Sequence, residues 1–235
     1  MPKIYHKLYD AAKLDTQAAV ILNENNLHAP AIYHCAQAAE KCMKATLGCY
    51  LSKIKKFSDD EIVEKFKEYG HDLRESYKEN MKFLLKIYID SLYKDKEEAY
   101  EQLRHRIFIP QLDTLDIRRK IRQFDELVDI LYQDYIQIKK GSFEGFEEEL
   151  KLITKELLDK EYFRYMLLIM RLSAFLTPFE EYSRYPKKEL SYNNVFLLNK
   201  VEHIKAIRHI CAMIYDALNL APSIFVELPR YFKNK

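Results

Sequence analysis

Ala29–Ile54, APAIYHCAQAAEKCMKATLGCYLSKI, decides the fold, because its spacing describes one long helix with two different faces. Pro30 suits a first helical turn, and Ile32, Ala36, Ala39, Met43, Leu47, Tyr50 and Ile54 recur at intervals of three and four, the period of a core-facing stripe. Cys35, Ala38, Cys42, Ala45 and Cys49 form a second stripe of small side chains, over which a neighbouring helix can approach closely. A helix with two packing stripes belongs at the centre of a bundle. Between the stripes lie Gln37, Glu40, Lys41 and Lys44; Gln37 and Lys41 share one surface, as do Glu40 and Lys44.

Composition sets the frame for the rest of the chain. With 235 residues, a chain of this length buries about 70% of its unfolded surface and needs no disulfide or metal staple. Only 4 Gly and 7 Pro interrupt a sequence that is 48% hydrophobic and rich in Lys, Glu, Leu and Ile, which favours long helices over a turn-rich β fold. The expected class is therefore all-α. A formal net charge of +2 excludes a globally basic nucleic-acid binder, so a phosphate site has to be local. Three of the 4 cysteines stand seven apart on one helix, about 10 Å from one to the next, too far to bridge each other. They read as packing residues in a reducing compartment. The amino terminus has no apolar signal core, and no uncharged run approaches the roughly 20 residues of a membrane span, so a cytoplasmic protein without a membrane partner is expected.

Flanking segments extend the helical reading. A first helix over Ile4–Asn25 places Tyr5, Leu8, Ala12, Ala19 and Leu22 inward, and the Asn-rich turn before Pro30 returns the chain as an antiparallel hairpin. Ser58 and Glu61 have capping-box spacing for a short helix to Tyr69, which Gly70 ends. A helix from His71 to about Tyr93 follows. Beyond Pro110, Leu115, Ile117, Ile121, Phe124, Val128, Leu131, Tyr135 and Ile138 give a near-heptad seam suited to self-association. Another helix is expected from about Glu147 to Phe175, extending to Tyr182 with a disturbance at Pro178. The last is expected to start at Ser191 or Asn193 and stop near Leu220, before Pro222, with Arg230–Lys235 as a frayed tail.

Three short motifs fall in order: AIYHCAQAAEKCMKA in the central helix, then GHDLRE, then SRYP ahead of the last helix. Together they resemble the HEPN family, whose second helix reads A-x-x-x-x-Q-A-A-E-K-x-x-K-A and which carries a short H-D-L element and a later R-Y-P. The resemblance covers about residues 5–80 and 160–220. It implies an up-and-down bundle of HEPN type forming a single domain over 1–235, with one or two inserted helices at about 95–155. It further implies a nucleotide- or RNA-binding module, commonly dimeric, that acts with partner proteins in a toxin–antitoxin or defence-like setting. One alternative is a metal-independent endoribonuclease with a non-standard active site; another is a structural partner of a small nucleotidyltransferase.

The ribonuclease branch of the family uses an Arg followed, after four to six residues, by a His. That pair would hold the phosphate and move the 2′-hydroxyl proton. No Arg in this chain has a His at that distance; after Arg184 the positions hold Glu189, Leu190 and Ser191. The sequence therefore assigns no catalytic residue, no metal ligand and no cofactor.

The candidate nucleotide- or RNA-binding residues are Lys41, Lys44, His71, Arg74, Arg184 and Tyr185, since several donors converging on one anion bind it better than one. For Lys41 and Lys44 the competing reading, which is favoured, is an internal ion-pair set with Glu40 neutralising Lys44. His71-Asp72 reads as a helix start and not as the metal pair of a phosphohydrolase, and Arg184-Tyr185-Pro186 as a helix-entry turn able to present a guanidinium and a ring. The basic runs Arg104–Arg106 and Arg118–Arg122 read as solvated helix faces, because Asp125, Glu126 and Asp129 follow. Zinc on the cysteine stripe with His28 and His34 is disfavoured, because one helix cannot wrap a tetrahedral ion with ligands seven apart.

Overall fold

The computed structural model describes residues 3–70, 76–84, 161–184 and 201–232. Five helices are labelled in chain order among them: α1 (Ile4–Glu24), α2 (His28–Lys53), α3 (Asp59–Tyr69), α4 (Glu161–Arg184) and α5 (Val201–Phe232). Residues 76–84 are also helical, and no strand occurs among the described residues. The all-α reading holds. The proposed insertion at 95–155, with its heptad seam and basic runs, lies outside the described residues.

α2 is the hub: it packs against α1, α3, α4 and α5. Eighteen of its 26 residues are buried, so it is enclosed and not merely amphipathic. Ile32, Ala36, Ala39, Met43 and Leu47 are buried on one stripe and Cys35, Ala38, Cys42, Ala45 and Cys49 on the other, as their spacing predicts. The small residues permit close approach, most tightly at Gly48, where an added Cβ would sit 3.2 Å from Tyr5 Cβ and 3.4 Å from the Phe66 ring.

α1 runs antiparallel to α2. Tyr5 lies over Gly48, Asp15 beside His34 and Lys41, and Asn23 beside His28, whose Nδ1 donates to Asn23 Oδ1 at 2.9 Å. α3 begins on a capping box: Ser58 Oγ accepts from Glu61 N–H (3.3 Å) and Glu61 Oε2 accepts from Ser58 N–H (2.7 Å). It ends at Gly70, whose φ of 59° lies in the left-handed region that favours glycine.

Polar atoms also tie the layers together. Tyr165 of α4 reaches Thr46 Oγ1 at 2.5 Å and donates to the Cys42 carbonyl at 3.3 Å. Asn80 Nδ2 donates to the Met43 carbonyl at 2.9 Å. These groups are fully buried, and each bond satisfies a donor whose desolvation would otherwise oppose folding. The Tyr50 and Phe83 rings stack at 4.7 Å on the same side.

Two expectations are corrected at the carboxyl end. α5 does not stop before Pro222 but continues through Pro222 and Pro229 to Phe232, so Arg230–Phe232 are helical and not a frayed tail. A proline inside a helix removes the hydrogen bond to the carbonyl four residues earlier. Here both of those carbonyls find other donors. The Leu218 carbonyl, four before Pro222, accepts from the Tyr9 hydroxyl at 3.1 Å, and the Phe225 carbonyl, four before Pro229, accepts from Lys53 Nζ at 2.7 Å. Burial of Ile224, Phe225 and Leu228 favours the extended helix, and Pro222 turns its ring to solvent. α4 runs past Phe175 and through Pro178 to Arg184, in keeping with the extension expected to Tyr182.

Ala206–Arg230 within α5 has the length and apolar composition of a membrane span, although half of it is buried inside the protein. Ile207, Ile210, Ile214, Ala217 and Ala221 pack in the core, the condition of an interior helix in a bundle.

Candidate functional site

The four charged and polar residues between the α2 stripes divide into two sites of different character. Glu40 and Lys44 are buried, at 4% and 6% exposure. Lys44 Nζ donates to Glu40 Oε1 at 2.8 Å and to the Gly70 carbonyl at 2.5 Å, and it lies 5.8 Å from the Phe66 ring centroid. The ammonium is thereby enclosed by a carboxylate, a carbonyl and an aromatic face. A cation taken this far out of water needs such partners, and removal of one costs far more than loss of a surface pair. Lys44 therefore fixes the end of α3 to α2, at the residue directly before His71.

Lys41 lies half-exposed where α2 meets α1. Its Nζ donates to Asp15 Oδ2, and the other oxygen of the same carboxylate accepts from His34 Nδ1 at 2.9 Å. Asp15 is the least exposed of the three, with 14% of its side chain accessible against 30% for each partner. One carboxylate thus holds an imidazole and an ammonium two helical turns apart on one face of α2. Each keeps hydrogen-bonding capacity: the pair with Asp15 uses one of three ammonium protons, and His34 retains Nε2 as its second polar atom. The half-buried Tyr33 ring meets His34 edge-on at 5.4 Å, and Gln37 lies half-buried between His34 and Lys41 in sequence. Cation donors, an imidazole, an amide and an aromatic ring are together the groups that recognise a phosphate and a base.

A family comparison bears directly on this helix hairpin. The HEPN domain model matches residues 5–131, more than half of the chain, and so takes in α1, α2 and α3. The chain belongs to the HEPN domain family. The matched span includes residues 95–131 and does not extend to α4 and α5, whereas the motif resemblance covers 5–80 and 160–220. No curated protein and no solved structure matches the chain.

Among the sequence-derived candidates of this HEPN protein, Lys41 and Lys44 occupy different sites: one faces outward over α1 and the other inward under α3. His71, Arg74 and Tyr185 lie outside the described residues. Arg184 is the last residue of α4. Sequence reasoning missed Asp15 and considered His34 only as a zinc ligand. The signal for the pair was the seven-residue interval from His34 to Lys41, which sets both on one face; Asp15 emerges only once the hairpin register is known. The α2 cysteines take separate partners on α4 and α5: Cys35 meets Cys211, Cys42 meets Tyr165, and Cys49 meets the Phe225 carbonyl.

Proposed function

We propose that this HEPN protein binds nucleotide or RNA through the outward polar face of α2, with Lys41 and His34 taking the phosphate and Tyr33 lying beside the base. The observation that carries this reading is the carboxylate of Asp15, whose two oxygens hold an ammonium and an imidazole on the same half-exposed face of α2. Preorganised donors bind an anion at a lower ordering cost than free surface lysines. Lys44 belongs to a separate buried site, bonded to Glu40 and to the Gly70 carbonyl, and the remaining candidates His71 and Arg74 follow Gly70 in the sequence. The absence of any Arg with a His five to seven positions on favours a binding module over a ribonuclease. Such a module acts with partner proteins, a small nucleotidyltransferase among them, as a cytoplasmic homodimer in a toxin–antitoxin or defence-like system.

The test is a titration of the full chain with ATP and with short single-stranded RNA at two salt concentrations. Binding should weaken as salt rises, and Lys41→Ala should lower affinity roughly tenfold, the loss of one charge-assisted contact. Absence of binding at both salt concentrations would refute the reading. Equal affinity of wild type and Lys41→Ala would move the site off this face.

A further inference from the structure

Cys35 of α2 and Cys211 of α5 face each other across the core with their sulfur atoms 3.6 Å apart. Both are free and buried. The other two of the chain's 4 cysteines are engaged elsewhere, Cys42 on the Tyr165 hydroxyl at 3.7 Å and Cys49 on the Phe225 carbonyl at 3.8 Å. A disulfide has an S–S length of about 2.05 Å, so roughly 1.6 Å of closure separates this dithiol from a bond. We propose that Cys35 and Cys211 form an oxidation site that closes into an intramolecular disulfide tying the central helix to the last one, with a peroxide as oxidant.

The two thiols are not equivalent. The Cys35–Cys211 hydrogen bond holds the Cys211 thiol below its ordinary range, and the same contact together with burial pushes the Cys35 thiol well up. Cys211 is also the less enclosed, at 5% exposure against none for Cys35. Cys211 is thus the attacking sulfur. Its thiolate displaces hydroxide from the peroxide by breaking the O–O bond, which leaves a sulfenic acid on Cys211. The Cys35 sulfur then attacks that sulfur, the S–O bond breaks, and the departing hydroxide leaves as water with the Cys35 proton. In sum two thiols lose two electrons and two protons, and one peroxide becomes two waters.

The consequence is mechanical. Cys35 directly follows His34, so the bond would pin to α5 the turn of α2 that carries the polar face. In a reducing cytoplasm the dithiol is the resting form, and the link forms under peroxide stress.

The full-length protein, treated with hydrogen peroxide under native conditions, should lose two of its four thiols and the mass of two hydrogens. A digest should yield one linked peptide pair joining Cys35 to Cys211. The melting temperature should rise by roughly 5–10 °C and return on adding a thiol reductant, as expected for a cross-link closing a long loop. Cys211→Ala should keep its three remaining thiols under the same treatment. Four thiols surviving peroxide in the wild type would overturn the proposal, as would links between chains, or loss of thiols without a Cys35–Cys211 peptide. Should the Ala variant not fold, the wild-type thiol count and peptide map decide the matter alone.

Discussion

Lys41 and Lys44 show how three residues of spacing on one helix separate two chemistries. Both belong to the same motif, and Lys44 pairs with Glu40 as the four-residue interval suggests. What the interval does not carry is depth: α3 folds over Lys44, and α1 brings Asp15 to Lys41. The buried pair makes a specific prediction. Glu40→Gln leaves an uncompensated ammonium in the core and should destabilise the protein by about 3–5 kcal/mol in urea unfolding. The double variant Glu40→Gln with Lys44→Met, which removes both charges and keeps most of the volume, should recover at least half of that loss. If the double variant is as unstable as the sum of the two single variants, the ion pair is not what holds this site.

At the scale of elements, α5 is where local sequence rules and the folded helix part company. Pro222 reads as a helix stop, and it would be one if the Leu218 carbonyl were left bare. The Tyr9 hydroxyl fills that vacancy from α1, as Lys53 does from α2 for Pro229. Neither donor is near its acceptor in sequence, so no local window contains the information. The capping box at Ser58–Glu61, by contrast, was legible because both partners lie within one turn. A double-mutant cycle tests the compensation. Tyr9→Phe should cost about 1 kcal/mol in the natural background and much less in Pro222→Ala, where the restored amide can take the Leu218 carbonyl itself. An equal cost in both backgrounds would show that Tyr9 acts by packing alone.

Across the whole molecule, the two stripes of α2 contain most of the fold. A helix with apolar residues on one side and small residues on another has to be surrounded, and α1, α3, α4 and α5 surround it. The centrality of α2 and the all-α class were therefore readable from residues 29–54 together with composition. The candidate site was half readable: Lys41 stands in the motif, but Asp15 enters from another helix and required the hairpin register. The same architecture bears on activity. With no Arg-to-His pair at ribonuclease spacing in the chain, RNA incubated with the protein in chelator should remain intact on a denaturing gel. Cleavage that vanishes in His71→Ala or Arg184→Ala would instead establish the endoribonuclease alternative.

The outward face of α2 is tested most directly by NMR of histidine-labelled protein during titration with ATP. His28 is an internal control, since it is buried and bonded to Asn23, whereas His34 sits on the proposed phosphate surface. Saturating ATP should shift the His34 ring resonances and leave those of His28 in place. Shifts at His28 with His34 unmoved would contradict the assignment of this face.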